Sequence, residues 1–123
     1  MSEQLHISFV IPALGGADLE DGTLAEVEKY DPVRRQWVTA EPLLARRKKF
    51  GLAVHNSKIY IAGGVCDDAP EPVATVHMYD WCSSQWTAVA NMPTARCSLS
   101  LAALDNKLYA CGGETNAPVN VVE

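Results

Sequence analysis

Apolar positions along this chain fall into short runs or alternations, each ended by glycine, proline, asparagine, aspartate or serine. Gly51-Leu52-Ala53-Val54 is one such run, and Asn56-Ser57 behind it is a turn signal. Lys58-Ile59-Tyr60-Ile61-Ala62 is rich in β-branched and aromatic residues and stops at Gly63-Gly64, the pattern of a buried strand. A loop with two prolines and two aspartates runs from Val65 to Pro72. Val76-His77-Met78-Tyr79-Asp80 predicts a third strand, and Gln85-Trp86-Thr87-Ala88 a fourth behind the Ser83-Ser84 turn. Four short strands with tight connections predict one antiparallel meander over residues 50–88. Helical spacing is weak throughout. Thr23 to Tyr30 matches it best, but carries the β-branched and aromatic residues expected of a strand.

The same order of elements recurs on both sides. Tyr30-Asp31 and Tyr79-Asp80 lie 49 residues apart, as do Trp37 and Trp86, Tyr60 and Tyr109, and Arg47 and Arg96. Gly63-Gly64 and Gly112-Gly113 share that offset, and Gly15-Gly16 falls 48 residues before Gly63. Upstream, Leu5 to Ile11 precedes Gly15-Gly16, Ala25 to Asp31 matches the third strand, and Gln36 to Thr39 the fourth. Downstream, Ser98 to Leu104 matches the first strand, Asp105-Asn106 the turn and Leu108 to Cys111 the second. Val119 to Val122 begins the third. A period near 50 residues marks an array whose units cannot bury their apolar faces alone.

A double glycine after an apolar strand, then Tyr-Asp, Trp seven residues on and Arg ten further, resembles the kelch repeat over nearly the whole chain from Leu5. The resemblance implies an all-β fold of kelch-type β-propeller blades, each a four-stranded antiparallel meander. It implies a blade remnant at 5–40, a complete blade at 50–88 and a partial blade at 98–123. Closed propellers have 4–8 blades, so about two and a half make an incomplete ring. In the family the glycine pair permits a tight bend beside the neighbouring blade, and the Tyr and Trp pack between blades. That assigns structural roles to Gly15, Gly16, Gly63, Gly64, Gly112 and Gly113, and to Tyr30, Trp37, Tyr60, Tyr79, Trp86 and Tyr109. Pro12 departs from the pattern, because proline cannot donate to a sheet ladder and belongs at edges or bulges.

Composition changes this picture little, but charge sharpens it. Hydrophobic content of 48% and charged content of 20% fit a folded domain. Residues 1–33 hold seven acids and one base, residues 34–60 seven bases and one acid, and residues 61–123 seven acids and two bases. A net charge of −5 argues against nucleic acid as the main partner, since phosphate binding needs a broad basic surface. No run of about 18 apolar residues predicts a membrane span. Cys66, Cys82, Cys97 and Cys111 contain no C-x-x-C pair, and no signal peptide precedes them. They read as reduced thiols of a cytoplasmic protein.

Candidate chemistry is sparse. Phosphate-loop, nucleophile-elbow and zinc-protease motifs are missing, the histidines show no metal-ligand spacing, and Asp67-Asp68 with Glu71 does not match an EF-hand loop. No cofactor, metal or catalytic residue is expected, and the chain reads as a non-enzyme. Binding is expected on the loops that blades position. In kelch substrate adaptors, ligand peptides are met after the double glycine and at the arginine before each blade. Carried over, those positions are Arg47, Lys48, Arg96, Asp67, Asp68 and Glu114, although Arg47 and Arg96 read first as ties between adjacent loops through backbone carbonyls. The basic run Arg46-Arg47-Lys48-Lys49 falls in the connection between blades. The resemblance implies a protein partner, with the cullin-type ubiquitin-ligase machinery recruited through domains outside this sequence. Two other kelch classes remain open, an actin-associated protein and a propeller enzyme of the sugar-isomerase or copper-oxidase kind. Open blade faces also imply self-association.

Overall fold

The computed structural model describes residues 11–14, 17–18, 22–23, 25–66, 71–115 and 121–123. The described residues hold eleven strands and no helix. Strands β6 (Gly51–His55), β7 (Lys58–Ala62), β8 (Val76–Asp80) and β9 (Gln85–Val89) form a four-stranded antiparallel sheet in sequence order. Its members are the four segments expected from the apolar pattern, with β6 and β9 each one residue longer.

On one side lies a three-stranded sheet of β1 (Ile11–Leu14), β4 (Val27–Asp31) and β5 (Gln36–Thr39), in the order β1-β4-β5. Between β1 and β4 the chain makes a small hairpin, β2 (Ala17–Asp18) with β3 (Gly22–Thr23). On the other side, β10 (Ser100–Leu104) pairs with β11 (Lys107–Cys111), and Val122 bridges Cys111 as the start of a third strand. The chain therefore folds as incomplete propeller blades. Gly15, Gly16, Asp67, Asp68 and most of the expected 5–11 strand lie outside the described residues. The described strand there is β1, which places Pro12 opposite Lys29 on a strand with one ladder neighbour. The expected strand from Ser98 begins instead at Ser100, because Cys97 bridges Glu114 and Ser98 turns into the left-handed region at φ 54°.

Backbone geometry repeats as faithfully as sequence. Arg35 and Ser84, Lys49 and Ser98, Asn56 and Asp105, and Ser57 and Asn106 all have positive φ, and each pair lies 49 residues apart. Asn56-Ser57 and Asp105-Asn106 are two-residue hairpin loops with both central φ positive, whose twist suits antiparallel strands. The aspartate of each Tyr-Asp pair holds the next turn. Asp31 Oδ1 accepts from the Val33 and Arg34 amides, and Asp80 Oδ1 from the Cys82 amide.

The core sits between sheets, as the two-residue period of a strand dictates. Ile59 and Ile61 point one way and join Val27, Leu43, Tyr79 and Trp86. Tyr60 and Ala62 point the other way, towards Val76, Leu99, Leu101 and Ala110. Each apolar layer thus draws on two successive units.

Candidate interaction surface

Each double glycine bends the chain back beneath the loop that carries an arginine. Gly63 N donates to Thr75 O and Gly64 N to Arg96 O, both at 3.0 Å. A Cβ on Gly64 would lie 2.5 Å from Lys48 O, and one on Gly113 2.5 Å from Cys97 O. With φ of +97° and +88°, these positions exclude side chains on conformation as well as space. The bends let Lys48 bridge Val65 and Cys97 bridge Glu114, forming two like loop pairs at one end of the sheets.

Inside each loop pair an arginine is fully buried. Arg47 donates through Nη1 to Gly63 O (3.0 Å) and Thr75 O (3.4 Å), and through Nη2 to Thr75 Oγ1 (3.0 Å). Nη2 also lies 3.2 Å from His77 Nδ1. Arg96 repeats the arrangement, with Nη1 donating to Gly112 O (3.0 Å) and Val121 O (2.8 Å) and Nη2 paired with the Glu123 carboxylate. Each fork ties the double-glycine bend to the start of the third strand, a task for which a planar guanidinium is suited. Arg47 and Arg96 are 1% and 0% exposed, and their bonded donors serve the chain itself. Among the described residues, the Nε of each is buried without a partner.

The other expected contacts are placed differently. Lys48 is half-buried beside its bridge to Val65, whereas Glu114 is exposed at the matching point of the next loop pair. Lys49 and Ser98, 49 residues apart, are exposed on the same rim. Burial of His77 beside the Arg47 cation lowers its pKa, desolvation being the larger cause. The Glu123 carboxyl is held low by the Thr94 hydroxyl at 2.7 Å and by Arg96.

Tyr79 and Trp86 face each other across β8 and β9 with ring centroids 5.0 Å apart. The Tyr79 hydroxyl donates to Glu41 Oε1 (2.8 Å), and Trp86 Nε1 donates to Glu41 O (3.0 Å). Both rings are buried against the preceding unit. Burial and the Glu41 bond raise the Tyr79 pKa, so it remains a neutral donor. Trp37 differs. It makes the same cross-strand contact, with Tyr30 at 5.4 Å, yet stays 49% exposed. Tyr60 and Tyr109 are only half-buried.

Glu41, His77, Thr94 and Glu123 were not singled out from the sequence. Glu41 is unrepeated, with Ala90 at the matching place, so the period does not flag it. All four cysteines are free thiols, and no group of three or more His, Cys, Asp or Glu side chains among the described residues could hold a metal ion. No helix among the described residues is long and apolar enough to cross a membrane.

A family model for the kelch motif matches residues 46–93, from the arginine loop to the end of the four-stranded sheet. Kelch-like protein 40 of Xenopus laevis is 38% identical over 58 residues, 47% of this chain and 9% of that protein. The Xenopus tropicalis protein of the same name matches to the same extent. That of Mus musculus is 32% identical over 62 residues, 50% of this chain and 10% of that protein. The chain thus spans about a tenth of the length of these curated relatives. With the 49-residue period, the buried arginines and the inter-sheet aromatics, these matches make the chain similar to kelch-repeat proteins, resembling the BTB-kelch proteins.

Proposed function

We propose that this chain is a protein-interaction module that meets its partner on the rim formed by the paired loops, and that it derives from the propeller of a cullin-type ubiquitin-ligase adaptor. The observation carrying this reading is the repeated loop pair, in which a buried arginine fixes the backbone while Lys49, Ser98 and Glu114 remain outside. Fixed loops present polar groups with little ordering cost on binding. The similarity to proteins named Kelch-like protein 40 supports the adaptor lineage. On this reading the chain is not an enzyme, ligase recruitment belongs to other domains of such proteins, and its work is cytoplasmic.

Affinity capture followed by quantitative mass spectrometry tests the rim. Lys49→Glu with Glu114→Lys should deplete a set of captured proteins at least several-fold, while Arg34→Glu with Lys107→Glu at the opposite end should not. Equal depletion by both pairs would overturn the assignment to the rim. Copper or sugars should leave the melting temperature unchanged, since a bound ligand stabilises the folded state. A saturable rise would favour the enzyme reading.

A further inference from the structure

Between the four-stranded sheet and β10–β11 lies a cleft of about 410 Å³, lined by Val76, Ala90, Met92, Leu108, Ala110 and Glu123 among others. Shifted back 49 residues, the first five become Val27, Glu41, Leu43, Ile59 and Ile61. Those are the residues that enclose Tyr79 and Trp86 in the preceding layer. The cleft thus copies a Tyr–Trp seat, with no such pair among the described residues filling it.

A Tyr–Trp pair in the matching register is present on this chain. Tyr30 and Trp37 oppose each other on β4 and β5 as Tyr79 and Trp86 do on β8 and β9. The strand that carries Tyr30 also begins like the segment now resting on β11. Val122 bridges Cys111, and Glu123 exchanges backbone hydrogen bonds with Ala110. In the middle sheet Val76 and His77 hold those places against Ala62 and Ile61, and in the first sheet Val27 and Glu28 hold them against Leu14 and Ala13. Val122-Glu123 and Val27-Glu28 are therefore the same pair in the same seat. Glu123 gives Arg96 its carboxylate, and Glu28 is exposed on β4.

We propose that the β4–β5 pair of a second copy occupies this cleft, laying β4 along β11 in place of Val121–Glu123. Glu28 of one copy then takes the Arg96 guanidinium of the next, and Tyr30 and Trp37 fill the space beside Val76, Met92, Leu108 and Ala110. To do so β4 leaves β1, a four-residue strand containing a proline with no amide to donate, for the five-residue, proline-free β11. The β4–β11 ladder replaces the one that β4 gives up, as in domain swapping, and takes over the Ala110 and Gly112 groups that Val121–Glu123 release to water. The contact is head-to-tail, because insert and cleft are different surfaces of one molecule. Self-association through it is separate from partner binding at the rim.

Sedimentation velocity and light scattering on the full chain test this over a wide concentration range. The parent should grow beyond a dimer as concentration rises. Trp37→Ala removes the insert and Ala90→Arg fills the cleft, each at an exposed position, and each should weaken association at least about tenfold. Glu28→Lys should weaken it similarly, which nonspecific apolar adhesion would not. Mixing Trp37→Ala with Ala90→Arg should restore a 1:1 dimer that grows no further, since one intact insert then meets one intact cleft. A parent that stays monomeric, variants that associate like the parent, or a mixture that stays monomeric would each overturn the proposal.

Discussion

Arg47 and Arg96 each bury a cation; main-chain carbonyls meet both, and Arg96 alone adds a carboxylate, that of Glu123. Truncating Arg47 leaves Gly63 O and the part-buried Thr75 hydroxyl without their donor, while Thr75 O keeps the Gly63 amide. Orphaned buried acceptors cost about 1–3 kcal/mol each before relaxation, so Arg47→Ala should lower stability to urea by about 3 kcal/mol. Arg47→Lys should recover less than half, because a single ammonium cannot reproduce the fork. The two arginines also predict two pH windows. His77 has a lowered pKa, so below its ordinary value of 6.5 the unfolded chain takes up a proton that the native state refuses. Stability from this group is full above pH 6.5 and declines as pH falls below it. His77→Gln, which still offers Arg47 an acceptor, should flatten that decline in urea melts at pH 7 and pH 5.5. Glu123 acts lower, its contribution being complete above its ordinary 4.5 and lost as acid protonates the carboxylate held by Thr94 and Arg96.

At the scale of the element, the Tyr-Asp…Trp hairpin does three things at once: Asp closes the turn, Tyr and Trp pair across the strands, and both rings lie on the preceding unit. Trp86 is 8% exposed and Trp37 49%. Trp86→Ala should therefore cost about 3–5 kcal/mol, and Trp37→Ala, measured in dilute solution, under about 1.5 kcal/mol, because half of its area is already in water. Equal losses would mean that Trp37 is covered as Trp86 is. The hairpins were legible in sequence because alternation, Asn56-Ser57 and Asp105-Asn106 are local signals with steric causes. The loop pairs were legible as repeats, but the arginines' burial was not, since charge predicts exposure until the carbonyls that meet it are placed. Glu123 was hidden for another reason. It lies 46 residues after His77, not 49, because the loop before it is three residues shorter. A fixed offset therefore aligns the wrong residue with the arginine's partner.

For the whole molecule, stability should follow position in the row of sheets. In stacked repeats each unit draws on its own strands and on its interfaces with immediate neighbours. The β6–β9 sheet has a neighbour on each face, through Ile59 and Ile61 on one side and Ala62 and Val76 on the other. The β1-β4-β5 sheet leaves Trp37 open, and β10–β11 has only two full strands beside an open cleft. Local opening should accordingly be easiest at the two ends and hardest in the middle. Hydrogen exchange read by mass spectrometry on dilute protein checks this. Amides of β7 and β8 should exchange slowest, and those of β4–β5 and β10–β11 faster by at least about tenfold, about 1.4 kcal/mol in opening free energy. Ala110→Asp, which places an acid in the layer between the last two sheets, should speed exchange in β10–β11 and, less strongly, in β8, while leaving β4 nearly unchanged. Uniform acceleration across all sheets would instead mean that the row opens as one cooperative unit, with interfaces as strong as the sheets they join.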